Sequence, residues 1–259
     1  MLDSAAYLKR IGYSGPVDPA PDVLAAIHRA HMLSVPFENL DIFLGREIVC
    51  DERTFVRKIV EERRGGFCYE LNGAFSALLR ELGFKVILLS ARVPREDGSL
   101  SPEFDHLALR VDLDQPWLAD VGFGDLFLEP VKLIPGIEQE QAGRRFRISQ
   151  INDSLLLERT EPDGSWKKQY VLTPQARGLA DFAAMCRYHQ TSPESHFTQK
   201  RLCTMATSDG RITLSDRRLL LTADGRREER ILGSDQEWNR ALQEHFGVVL
   251  RCATSTRSA

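Results

Sequence analysis

The chain has 259 residues, 42% of them hydrophobic and 27% charged, with a formal net charge of −3. This balance fits a folded globular protein with one large core or several smaller ones, and excludes disorder along most of its length. The small negative charge, with no basic cluster interleaved with aromatics, argues against a nucleic-acid partner.

The N-terminal stretch MLDSAAYLKRIGYSG carries an acid early and lacks a long apolar stretch, and no uninterrupted apolar run approaches bilayer length. The sequence therefore predicts no signal peptide, no membrane partner and a cytoplasmic location. Its five cysteines, at 50, 68, 186, 203 and 252, are odd in number and scattered, which fits reduced thiols better than a disulfide framework. DVLAAIHRAHMLS and DERTFVRKIVEER show apolar positions at helical period, and VPFENLD separates them, with Pro36 ending the first helix.

RRGGFCYELNGAFSALLREL follows, from Arg63 to Leu82. Leu71, Phe75, Leu78 and Leu82 recur on one helix face, which predicts an amphipathic helix entering the core. Cys68 stands at its mouth. Gly65 and Gly66 allow a sharp turn with no Cβ in the way, and the unpaired N–H groups of a first helical turn favour negative charge. That setting is expected to lower the thiol pKa and raise the nucleophilic fraction. The alternative for Cys68 is a small buried hydrophobe.

From about Lys85 the texture becomes short runs rich in Val, Ile and Leu: KVILLSARV, HLALRVDL, WLADVGF, RFRISQI, SLLLERT and QYVLT. These read as strands, with EPDGSW a hairpin turn between two of them. After about Asp181 the pattern mixes. DFAAMCRYHQ and DQEWNRALQEHFG read as helices, RLCTMAT and RITLSDRRLLLT as two strands, and the tail RCATSTRSA as a polar, frayed end.

A nucleophilic cysteine needs a base and an orienting acid. In HLALRVDL, Leu107, Leu109, Val111 and Leu113 alternate onto one face, so His106 points away from the apolar row and opens the strand after a loop. Asp120 lies between Ala119 and Val121, where a carboxylate is expected to be partly buried and in need of a partner such as an imidazolium N–H. Cys68, His106 and Asp120 would then serve as nucleophile, base and orienter. As spacing alone the set is weak, because many chains of this length contain the three types in that order.

VPFENLD, RGGFCYELN, HLALRV, DVGFG and SPESHFTQKRLC together resemble the arylamine N-acetyltransferase family. The resemblance implies an α+β fold in three domains. These are an N-terminal helical bundle carrying the nucleophile (1–84), a central antiparallel β-barrel carrying the histidine and aspartate (85–180), and a C-terminal α/β lid (181–259), around a cysteine-peptidase-like catalytic core. It places the family triad on Cys68, His106 and Asp120. It implies ping-pong transfer from acetyl-CoA, a co-substrate rather than a permanently bound cofactor, to an aromatic amine, hydrazine or hydroxylamine. It also places Phe37, Tyr69, Phe123 and Phe197 on the acceptor pocket, Gly124 beside the path of the CoA arm, and Arg64 with Glu38 as a structural ion pair. Three alternatives stay open: another acyl donor, a thiol hydrolase with the same triad, and a zinc set of Cys186, His189, His196 and Cys203, whose spacing fits no usual finger. No metal is expected. Gly122 and Gly124 make no dinucleotide fingerprint, and the oligomeric state is not legible.

Overall fold

The computed structural model describes residues 2–250; the predicted frayed tail and Cys252 lie outside them. Four helices come first: α1 (Ser4–Arg10), α2 (Pro21–Ser34), α3 (Leu40–Phe43) and α4 (Glu52–Val60), with a two-residue strand β1 (Phe37–Glu38) after α2. Three of the four starts follow local chemistry. The Asp3 carboxylate accepts the Ala6 N–H, Pro21 opens α2, and Asp51 accepts the Thr54 N–H.

The central helix α5 (Cys68–Glu81) differs from its predicted amphipathic character, because every residue from Cys68 to Leu79 is buried. It packs against α4 on one side and, on the other, against strands β2 (Lys85–Arg92) and β3 (His106–Asp112). A helix covered on both sides has no solvent face to mark in sequence.

β2 and β3 belong to an eight-stranded antiparallel sheet. It also holds β4 (Pro116–Ala119), β5 (Val131–Lys132), β6 (Glu138–Gln141), β7 (Arg144–Ile151), β8 (Ser154–Thr160) and β9 (Trp166–Arg177). The order β5-β4-β3-β2-β9-β8-β7-β6 curls into a nearly closed barrel. Glutamines on β6 bridge the remaining gap as backbone would. Gln139 accepts the Lys132 N–H at 2.6 Å and donates to the Lys132 carbonyl at 3.0 Å, and Gln141 does the same at Glu129 at 3.0 and 2.7 Å. The interior is filled by Leu118, Phe127, Phe146, Leu157 and Tyr170. β3 therefore has two buried faces: Leu107, Leu109 and Val111 join the core around α5, while Ala108 joins the barrel interior. EPDGSW makes the expected hairpin turn between β8 and β9, closed by the Glu161 N–H on the Ser165 carbonyl.

Beyond the barrel come α6 (Ala183–Thr191), strands β10 (Leu202–Ala206), β11 (Gly210–Ser215), β12 (Arg218–Ala223) and β13 (Arg226–Ile231), and α7 (Asp235–Phe246). RITLSDRRLLLT is thus two strands, turning at Asp216, whose φ is 46°. The five-stranded sheet runs β1-β10-β11-β12-β13, so its first strand comes from residues 37–38 of the helical region. Phe37 pairs with Thr204, and Glu38 with Cys203. Among the described residues, no helix is long and apolar enough to cross a membrane.

Candidate active site

Cys68 occupies the first position of α5, and the chain reaches it through a tight crossing. A Cβ on Gly65 would lie 1.9 Å from the Pro36 carbonyl oxygen, so only glycine lets RGGF pass VPF. The Glu38 N–H then donates to the Gly66 carbonyl at 2.9 Å. On the other side of the helix mouth, a Cβ on Gly122 would stand 2.9 Å from Cys68 Cα, so DVGFG also needs its glycine to pass the helix.

Asp120, fully buried just past β4, is held from several directions. Its Oδ2 accepts from His106 Nε2 at 2.7 Å and from the Tyr170 hydroxyl at 2.9 Å, while Oδ1 accepts from Asn72 Nδ2 at 2.8 Å and from the Gly122 N–H at 2.9 Å. Its own N–H donates to His28 Nε2 at 3.1 Å, which fixes His28 as the tautomer that donates from Nδ1 to the Leu128 carbonyl at 2.7 Å. Burial alone pushes the Asp120 carboxyl up, but the His106 charge and the hydrogen bonds from His106, Asn72 and Gly122 hold it below its ordinary value. With Nε2 engaged on Asp120, Nδ1 is the His106 nitrogen left to take a proton.

Cys68 and His106 line the same cavity, of about 450 Å³. Its walls include Phe37, Phe123, Phe197 and Gly124. Gly124 has φ of +90°, and a Cβ there would lie 3.8 Å from the Phe37 ring. Tyr69 is a correction. It is fully buried and absent from the wall, because one helix position after Cys68 turns its side chain about 100° away. Its hydroxyl donates to the carbonyls of Phe104 at 2.7 Å and Asp105 at 3.1 Å, the residues leading into His106.

The thiol state also differs from expectation. Burial pushes the Cys68 thiol well above its ordinary value, outweighing the lowering by the backbone N–H groups of Leu107 and Tyr69. Helix-mouth stabilisation is present but smaller than the cost of a thiolate at 3% exposure.

Behind the helix mouth, Arg64 binds Glu38 through Nε at 2.9 Å and Nη2 at 2.7 Å, as expected, within a larger buried group. Lys58 reaches Asp41 and Glu70, both at 2.7 Å, and Arg64 reaches Asp41 at 3.1 Å. Glu70 also accepts the Phe67 N–H at 3.0 Å, capping the turn that carries Cys68.

The zinc alternative is not assembled. Cys186 lies in the core around α5, Cys203 in the core under α7, and His189 is occupied by Asp105 at 3.2 Å and Ser195 at 3.1 Å. Among the described residues, no group of three or more His, Cys, Asp or Glu converges on a metal position. A second cavity, of about 550 Å³, has Cys50 on its wall but no histidine.

Asn72, Tyr170 and His28 escaped the sequence reading. Only Asn72 left a trace, as a polar residue one helical turn after Cys68, directly following Leu71 of the apolar row.

A family model described as N-acetyltransferase matches residues 22–255. An arylamine N-acetyltransferase of Mycolicibacterium smegmatis is 35% identical, with 96% of this chain and 93% of the relative covered. Among solved structures, the arylamine N-acetyltransferase (NAT) from Salmonella typhimurium superposes with a TM-score of 0.92 at 31% identity, covering 98% of this chain and 94% of that one. The Mycobacterium marinum arylamine N-acetyltransferase in complex with CoA gives 0.88 at 31% identity, covering 95% and 93%.

Proposed function

This chain belongs to the arylamine N-acetyltransferase family, and we propose that it carries acetyl from acetyl-CoA to aromatic amines, hydrazines or hydroxylamines through a thioester on Cys68. The observation that carries this reading is the cavity holding a buried thiol and a histidine backed by a buried aspartate, with three phenylalanines on its wall. The M. marinum relative binds CoA, which supports a CoA thioester as donor.

Burial disfavours the Cys68 thiolate, so the thiol proton passes to His106 Nδ1 as sulfur attacks the thioester carbonyl. Asp120 stabilises the imidazolium through Nε2. The tetrahedral adduct expels CoA sulfur, which takes the proton back from His106, and CoA leaves as a thiol. The amine nitrogen then attacks the Cys68 thioester and gives its proton to His106. His106 returns that proton to the Cys68 sulfur as the amide departs, so the enzyme ends as it began. Phe37, Phe123 and Phe197 supply flat apolar contact for the acceptor and limit water, and Gly124 leaves space for the CoA arm. Tyr69 acts behind this surface, holding the approach to His106.

Initial rates at varied acetyl-CoA and aniline test the order of events. Parallel double-reciprocal lines are expected, and intersecting lines would mean direct transfer in a ternary complex.

A further inference from the structure

The wall of the same cavity contributed by β10 and β11 is not apolar. Thr204, Arg211 and Thr213 line it, together with Asp125 from the loop after DVGFG. Arg211 Nε stands 3.3 Å from Asp125 Oδ1, and its Nη1 donates to Thr204 Oγ1 at 3.2 Å. Asp125 is not Arg211's alone. Arg144 reaches Oδ1 at 3.0 Å, and Arg159 reaches Oδ2 at 3.5 Å. Arg159 has one further carboxylate, Glu161 at 3.2 Å. Three guanidinium groups thus share two carboxylates, leaving one positive charge in excess. Asp105, the other acid on the cavity wall, is already paired with His189. Burial, with Arg144 and Arg159, pulls the Arg211 pKa down against the opposing pull of Asp125, as expected for an undercompensated cation.

Such a charge, with an Arg211 side chain only 18% exposed, favours a planar anion over a neutral group of the same shape. We propose that Arg211 is a specificity-determining residue that receives a carboxylate carried by the molecule reacting at Cys68, so that anionic substrates are preferred to their neutral isosteres. The inference rests on the transferase reading above. The carboxylate has two sources: the aromatic acceptor or the acyl group.

The test begins with intact-mass detection of acetyl-enzyme after acetyl-CoA. One arm then compares 4-aminobenzoate with 4-aminobenzamide as acceptors, and the other compares succinyl-CoA with butyryl-CoA as donors for thioester formation. Arg211→Gln is expected to lower kcat/KM about tenfold or more for the carboxylated member of one pair, while its neutral partner changes less than about threefold. Whichever arm responds identifies the source. Arg211→Lys should recover part of the loss, and Asp125→Asn should shift the preference the opposite way by removing a competing carboxylate. Equal losses for charged and neutral partners, or unchanged preferences in both arms, would overturn the assignment. If Arg211→Gln does not fold, an unchanged preference in Asp125→Asn would overturn it as well. Failure of wild-type enzyme to form any acyl adduct would instead bring down the transferase reading, and this inference with it.

Discussion

Two buried polar networks meet at the first turn of α5, and they use their acids in opposite ways. Around Asp120 a single carboxylate is held by His106, Tyr170, Asn72 and the Gly122 N–H, and one titratable member of that set, His106, also lines the cavity. Around Lys58 and Arg64, three carboxylates face two full cations, and none of the five lines the cavity of Cys68. The difference separates chemistry from support. A titratable base beside an open volume can move a proton, whereas a buried, mutually paired set of charges away from that volume fixes geometry.

Breaking the first network should cost the most. Asp120→Asn keeps the size but loses the charge that supports the imidazolium and the acceptor that fixes the His106 tautomer. A fall in kcat/KM of about 10⁴ is expected with little change in thermal midpoint. A variant retaining most of its rate would make Asp120 structural.

Breaking the second should cost stability instead. Arg64→Met takes both guanidinium contacts from the buried Glu38, whose next cation, Lys58, is 3.8 Å away, and urea titration should show a loss of about 3–5 kcal/mol. A loss below about 1 kcal/mol, with activity abolished in the folded variant, would move this cluster into the catalytic machinery.

Sequence reached these networks unequally. Cys68 was legible because glycines precede a periodic run, and Asp120 because an acid interrupts apolar neighbours. Asn72, Tyr170 and His28 come from three distant elements, and only tertiary closure brings them onto Asp120. The barrel strands with apolar alternation were legible. β6 was not, since its glutamines act through side chains, nor was β13, whose six residues are all exposed and mostly charged. The turn at Asp216 was hidden because it lacks glycine or proline. Tyr69 was misplaced because sequence adjacency to Cys68 is not adjacency on a helix surface.

The networks also differ in their response to pH. Burial lowers His28 from 6.5 to about 4, so its contribution to stability is full above 6.5 and is lost as pH falls through 4. Burial raises Glu70 from 4.5 to about 7 against the pull of Lys58, so its contribution is full below 4.5 and is lost as pH rises through 7. Glu70→Gln removes the second effect alone. Relative to wild type, its stability should gain about 1.4 kcal/mol per pH unit between 4.5 and 7, read from urea midpoints across that range. Parallel profiles for the two proteins would place Glu70 as a permanently ionised partner of Lys58.

The smallest effect sharpens the division within the cavity itself. Phe123 stands edge-on to the His106 ring at 5.1 Å, and Phe123→Ala should reduce discrimination between aromatic and aliphatic amines by about 1–3 kcal/mol in kcat/KM. Thioester formation should change less. Equal losses in both half-reactions would mark Phe123 as a support for His106.

The central claim is that Cys68 itself carries the acyl group. Intact-mass and peptide-level spectrometry after acetyl-CoA alone, with no amine present, addresses it directly. One acetyl group on the peptide containing Cys68 is predicted, discharged on adding aniline and missing in Cys68→Ser. An unmodified Cys68 in an enzyme that still turns over, or an acetyl group lodged on Cys50, would contradict the account.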